Sequence, residues 1–193
     1  MALRRDWVYE NNGGTCVAIA GSDYCVIAAD TRLSVGYSIY TRDYSKICKL
    51  ADKCVMASSG FQGDLKALQK NLAARHLHYV FKQLQIEKWK YERKGCVFTY
   101  DAVGSYERVG YSAQGTGAGL IIPVLDNQLK SPSPLLLPAK DAVTPLLESE
   151  AVDLVKDVFA SATERDIYTG DKVEIVVINA SGIRQELMEL RKD

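Results

Sequence analysis

Two glycines precede a threonine at the head of an apolar run, Asn11-Asn12-Gly13-Gly14-Thr15-Cys16-Val17. A second compact signature, Ala28-Ala29-Asp30-Thr31-Arg32, follows about fifteen residues later. A threonine behind a glycine is a candidate nucleophile. If the chain is cut before it, its hydroxyl attacks a carbonyl and its own α-amine, with an intrinsic pKa of ~8, takes the proton. Such a site also needs a lysine ammonium to lower the hydroxyl's pKa and a carboxylate to orient that lysine. Backbone N–H groups then hold the oxyanion. Which lysine and which carboxylate would serve is not set by residue type alone.

Other chemistry-bearing residues point to plainer roles. Gly115-Thr116-Gly117-Ala118-Gly119 has the look of a dinucleotide fingerprint, but its sixth position is Leu120 and no acidic ribose partner follows. His76 and His78 fall on different faces of a helix, with no Cys or Asp cluster near them, so no metal site is expected. Cys16, Cys25, Cys48, Cys54 and Cys96 show neither zinc nor redox CxxC spacing. Four of the five lie in apolar runs, where cysteine is expected as a small core residue in a reducing compartment. Trp89 and Tyr91 stand between charges, but Glu87 and Glu92 dilute them to a solvated helix end.

The 24 basic and 24 acidic residues cancel, which argues against a nucleic-acid or membrane-surface binder. Met1 to Asn12 has no apolar core, so a secretory signal is not expected, and no run reaches the roughly 18 apolar residues of a membrane span. The 193 residues suit a single domain over 1–193, with 1–12 as a flexible N-terminal extension. No cofactor is called for.

The positioning elements follow from the hydrophobic pattern. Thr15–Ala20 and Tyr24–Ala29 are nearly continuous apolar runs around Gly21-Ser22-Asp23, which predicts a hairpin in a sheet covered on both faces. Lys46–Leu50 and Lys53–Ser58 predict a second strand pair. After Gly60, Leu65, Leu68 and Leu72 recur at helical spacing. Cys96–Tyr100 and Tyr106–Tyr111 predict another hairpin, and Leu120–Leu129 a helix. Three prolines make Ser131–Pro138 an extended loop. Thr144 followed by Pro145 predicts a helix start, with Ala151, Leu154, Val155, Val158 and Ala162 on one face. Lys172–Asn179 is strand-like, turned back at Ala180-Ser181-Gly182. The whole reads as α/β (α+β), sheets with helices packed outside.

Four motifs in order resemble those of proteasome beta-type subunits, which are threonine-dependent N-terminal nucleophile hydrolases. They are the Ala28–Arg32 strand end, Lys46 sixteen residues after Asp30, the Gly115-Thr116-Gly117 turn, and Arg165-Asp166-Ile167-Tyr168-Thr169-Gly170. The resemblance implies a four-layer α-β-β-α sandwich with a shortened middle segment. It also implies a pocket of Asp30, Lys46, Thr116, Asp166 and Thr169. The nucleophile position counts back to Gly14, or to Gly13 if the first turn is one residue longer. Either way it is glycine, as in the family's non-catalytic members, and the chain is closest to those at the sixth beta position. In such a pocket Asp30 and Lys46 are expected as a buried ion pair, and Thr116, Asp166 and Thr169 as caps of turns.

The implied role is a structural subunit of a beta ring, without catalytic residues of its own. Its partners would be other alpha- and beta-type proteasome subunits in stacked seven-membered rings, enclosing polypeptide substrates during ATP- and ubiquitin-dependent degradation in cytoplasm and nucleus. Two alternatives remain open. Cleavage between Gly14 and Thr15 would expose Thr15 as nucleophile, although a one-residue shift along a strand turns its side chain to the other face. Residues 78–93 stand where the family carries a second core helix and a further strand, so a truncated form that does not assemble is the other.

Overall fold

The computed structural model describes residues 10–83, 95–101, 103–129 and 143–192, with backbone alone for 75–83. The readings of 1–9, of 84–93 and of Ser131–Pro138 lie outside the described residues, as do the side chains of His76 and His78.

The chain opens with the expected hairpin, β1 (Thr15–Ala20) and β2 (Cys25–Asp30). A small ribbon follows, β3 (Leu33–Val35) with β4 (Ser38–Thr41), then the pair β5 (Ile47–Ala51) and β6 (Cys54–Ala57). Helix α1 (Gln62–Gln83) leads on to β7 (Val97–Tyr100), β8 (Tyr106–Val109) and β9 (Tyr111–Gly115). Helices α2 (Ala118–Leu129) and α3 (Glu148–Thr163) precede the final hairpin, β10 (Lys172–Asn179) and β11 (Gly182–Glu189).

Five strands form one antiparallel sheet in the order β11-β10-β2-β1-β9. Its register aligns Val17 with Ala28 and Ala113, and Ala28 with Ile175. Side chains alternate across a strand, so these residues share one face. That face meets Ile121 and Leu125 of α2 and Val155, Val158 and Phe159 of α3, all fully buried. On the other side β6 lies against β2, β7 against β1 and β9, and α1 packs on β5. Cover on both faces explains why β1, β2 and β10 read as continuous apolar runs.

Three local expectations are corrected. Helix α3 starts at Glu148, not beside Thr144. The Leu147 N–H donates to Glu150 Oε2 (2.9 Å), the acid of its own first turn, while Thr144 bonds Ala20 O through both N–H (2.7 Å) and hydroxyl (2.9 Å). Thr144 therefore anchors the chain to the end of β1. The single strand expected over Tyr106–Tyr111 breaks at Gly110, and β9 swings into the main sheet beside β1. Of the five cysteines only Cys16 is buried; Cys25 and Cys48 are half-buried, and Cys54 and Cys96 exposed.

A clamp of charges fixes the β3–β4 ribbon to the turn before β10. Arg32 Nε meets Asp171 Oδ2 at 2.9 Å and its Nη1 donates to Ile167 O at 2.8 Å; Arg42 pairs with Asp171 Oδ1. Burial alone would raise the Asp171 carboxyl, but the hydrogen bonds from Arg32 and Arg42 outweigh it and hold the group below its ordinary value. The sign follows from linkage. A depressed carboxylate stabilises fully above its unfolded pKa of about 3.9, and the contribution is lost as pH falls through the folded value. Asp171 has φ +68°, a conformation asparagine tolerates. Asp171→Asn should cost about 3 kcal/mol at pH 7 by removing the carboxylate charge that Arg32 and Arg42 share. Denaturant unfolding at stepped pH should show that gap narrowing below pH ~4; a gap constant with pH would contradict it.

Candidate active site

Asp30 ends β2 and Lys46 stands just before β5, which brings a carboxylate and an ammonium to the same end of the main sheet. Both side chains are wholly buried, with Lys46 Nζ 2.8 Å from Asp30 Oδ1. The ammonium also donates to Asp30 O (3.0 Å) and Arg32 O (2.6 Å). An ammonium has three N–H bonds, and all three are committed here. Asp30 Oδ1 accepts a further N–H from Thr15 (2.7 Å), and Oδ2 accepts from Arg32 N (3.2 Å) and Gly170 N (3.4 Å). Burial pushes the Asp30 carboxyl up and the Lys46 ammonium down; their mutual attraction opposes both shifts.

Of the two glycines, Gly14 is the one that faces Lys46. A Cβ at Gly14 would collide with Lys46 Nζ, would lie 2.5 Å from its Cε and 3.0 Å from Asp30 Oδ1. A Cβ at Gly13 would instead meet Tyr168 Cβ at 2.6 Å. Gly14 also has φ +91°, where side-chain-bearing residues are strained. The count of sixteen residues back from Asp30 thus lands on the position that looks into the pocket. The lysine tip occupies the space that a side chain there would need.

The segment before Gly14 is part of the same structure. Gly60 N donates to Gly13 O (3.4 Å), and Asn12 N donates to Gly60 O (3.3 Å). Asn12 exchanges two further bonds with β3: Ser34 N donates to Asn12 O, and Asn12 Nδ2 to Ser34 O, both 3.3 Å. Its Oδ1 accepts the N–H of Gln62, the first residue of α1, at 2.9 Å. That carbonyl caps a helix fifty residues away, satisfying one of the donors every helix start leaves open. Sequence reasoning missed Asn12. The available signal was a helix predicted after Gly60 with no local capping side chain assigned to it.

Thr15 belongs to a second group of residues. Strand alternation turns its side chain to the α2–α3 face, away from the Gly14 side. Gly117 N donates to Thr15 Oγ1 at 2.8 Å, and Thr15 Oγ1 lies 2.6 Å from Thr169 Oγ1. The Thr169 hydroxyl gives its one hydrogen to Asp166 Oδ2 (2.7 Å), so Thr15 donates to Thr169. Thr116 Oγ1 also donates to Asp166 Oδ2 (2.6 Å), and Asp166 Oδ1 accepts Tyr168 N (3.1 Å). The structure therefore sorts the sequence-selected residues into two clusters at the head of β1. Gly14, Asp30 and Lys46 form one; Thr15, Thr116, Asp166 and Thr169 form the other. The Thr15 N–H to Asp30 joins them. Gly13 lies beside Tyr168. Among the described residues, no group of three or more His, Cys, Asp or Glu is placed to hold a metal ion. No described helix is long and apolar enough to cross a membrane.

The chain matches the family described as Proteasome subunit in two stretches, residues 10–85 and 68–178. It is 69% identical to a protein of Oryza sativa subsp. japonica named Proteasome subunit beta type-1, over the whole of both chains. A Petunia hybrida protein of the same name is 67% identical over 96% of each chain. Proteasome subunit beta type-6 of Saccharomyces cerevisiae is 35% identical over 96% of this chain and 90% of its own. The rice alignment runs over 221 positions against 193 residues here, so that relative carries residues this chain lacks. With a family match across most of the sequence and a pocket built from the residues its motifs supply, the chain belongs to the proteasome subunit family.

Proposed function

We propose that the chain is a non-catalytic structural subunit of the proteasome core particle. It would stand in the beta ring beside other alpha- and beta-type subunits, in cytoplasm and nucleus, and help enclose the chamber in which neighbours cut polypeptides. The observation that carries this reading is at Gly14. The position facing Lys46 has no attacking atom, and the lysine has no N–H left to lend one. Two further facts support it. Thr15 turns its side chain to the far side of β1 from Lys46, and its hydroxyl is already engaged by Gly117 N and Thr169. Helices α2 and α3, the five-stranded sheet, the β5–β6 and β7–β8 hairpins and α1 are consistent with an α-β-β-α sandwich of the N-terminal nucleophile hydrolase type. The longer rice alignment, and a family match that divides within residues 68–85, support a shortening after α1 begins.

Mass spectrometry of the native particle tests the assignment. The expected result is this chain in stoichiometric amount, with an intact mass that includes Asn12 and Gly13 and no labelling by probes of N-terminal threonines. A chain that begins at Thr15 and takes the label would overturn the non-catalytic reading. Absence from the particle would overturn the assembly role. Gly14→Thr should not create activity. Its side chain would run into Lys46 and the backbone would be strained, for a stability loss of about 2–4 kcal/mol. Unfolding titrations and a peptidase assay of that variant check both halves.

A further inference from the structure

Cys25 opens β2 and Cys96 stands immediately before β7, 71 residues apart in sequence. They are brought together by a close backbone contact. Gly95 is pressed onto the β1–β2 turn so tightly that a Cβ there would collide with Tyr24 O and lie 2.6 Å from Gly21 O. The next residue is thereby held beside the start of β2. Cys96 N donates to Cys25 Sγ at 2.9 Å, and the Cys25 thiol lies 3.3 Å from Cys96 O. The Cys96 Cα is one bond from that nitrogen and its sulfur two bonds further on. A disulfide of ~2.05 Å would then require rotation about the side-chain torsions of the two cysteines.

We propose that Cys25 and Cys96 form a reversible, oxidant-triggered disulfide site. The chemistry divides by exposure. Cys96 is exposed and meets the oxidant, whereas Cys25 is half-buried. Burial raises the Cys25 thiol to about 11, which keeps it protonated and slow to react with the oxidant itself. With a hydroperoxide as oxidant, the Cys96 thiol takes one oxygen to become a sulfenic acid, and the peroxide leaves as alcohol or water. The Cys25 sulfur then attacks the Cys96 sulfur. The S–O bond breaks, the hydroxyl leaves with the Cys25 proton as water, and the disulfide forms. A dithiol reductant reverses it. The bond would tie the β7–β8 hairpin to the central sheet and close a covalent loop containing β3 to β6 and α1.

Hydrogen peroxide treatment of the purified full-length chain, followed by non-reducing peptide mapping, tests the proposal. The expected product is a cross-linked peptide pair containing Cys25 and Cys96, lighter by two hydrogens, restored by dithiothreitol and absent from Cys25→Ser and Cys96→Ser. Cys54→Ser, at an exposed cysteine, should leave the cross-link intact. Thermal unfolding should rise by about 5 °C or more in the oxidised form and return on reduction. Three results would overturn the proposal: Cys96 advancing to sulfinic acid while Cys25 stays a thiol, Cys96 cross-linked to another cysteine, or no change at Cys96 at doses that oxidise Cys54. Because the map is read on the unsubstituted chain, a variant that fails to fold leaves the test intact.

Discussion

A single buried ion pair organises the head of the main sheet. Asp30 and Lys46 are removed from water together, and each is tolerable there only because the other is present and every remaining polar atom finds a partner. The consequences spread outward. The Asp30 carboxylate holds the backbone of Thr15 in β1, of Arg32 before β3 and of Gly170 before β10. The Lys46 ammonium ties the approach to β5 onto two carbonyls at the end of β2. Four segments distant in sequence, around Thr15, Asp30–Arg32, Lys46 and Gly170, are thus fixed by two side chains.

That arrangement separates scaffold from catalysis. A lysine poised to activate a hydroxyl must keep an N–H for it, and Lys46 has spent all three on Asp30 and Arg32. On the proposed non-catalytic reading, the site is more than an active site with one residue deleted. The lysine has settled into the volume a side chain at Gly14 would fill, and Asn12 and Gly13 have become struts that link β3, the Gly60 turn and the start of α1. A structural use of the pair accounts for both charges beside a position that has no attacking atom, since removing either partner strands the other.

Much of this was legible in the sequence, for identifiable reasons. Strands covered on both faces write themselves as apolar runs, so β1, β2 and β10 were readable. The motif around Asp30, with Lys46 at a fixed spacing, located the pocket, and alternation along β1 separated Thr15 from Gly14. What escaped was non-local. Asn12 caps a helix fifty residues away, and Thr144 bonds Ala20 across the fold; neither leaves a mark on neighbouring residues. The start of α3 was misplaced because Thr144-Pro145 has the chemistry of a cap, while a tertiary contact claimed the hydroxyl first. The cysteines misled in the same way, since an apolar neighbourhood in sequence did not mean burial at Cys25, Cys54 or Cys96.

The central claim is that the Asp30–Lys46 pair is a structural keystone, and the pH dependence of a Lys46→Met variant tests it most directly. Without the ammonium, burial leaves Asp30 with its carboxyl raised, so the folded state favours the protonated acid. A raised carboxyl contributes stability below its unfolded pKa and loses it as pH rises through the folded value. Denaturant unfolding should therefore show Lys46→Met weaker than the parent by about 3–5 kcal/mol at pH 7, with the deficit shrinking toward pH ~4. A deficit under about 1 kcal/mol that does not change with pH would contradict the account.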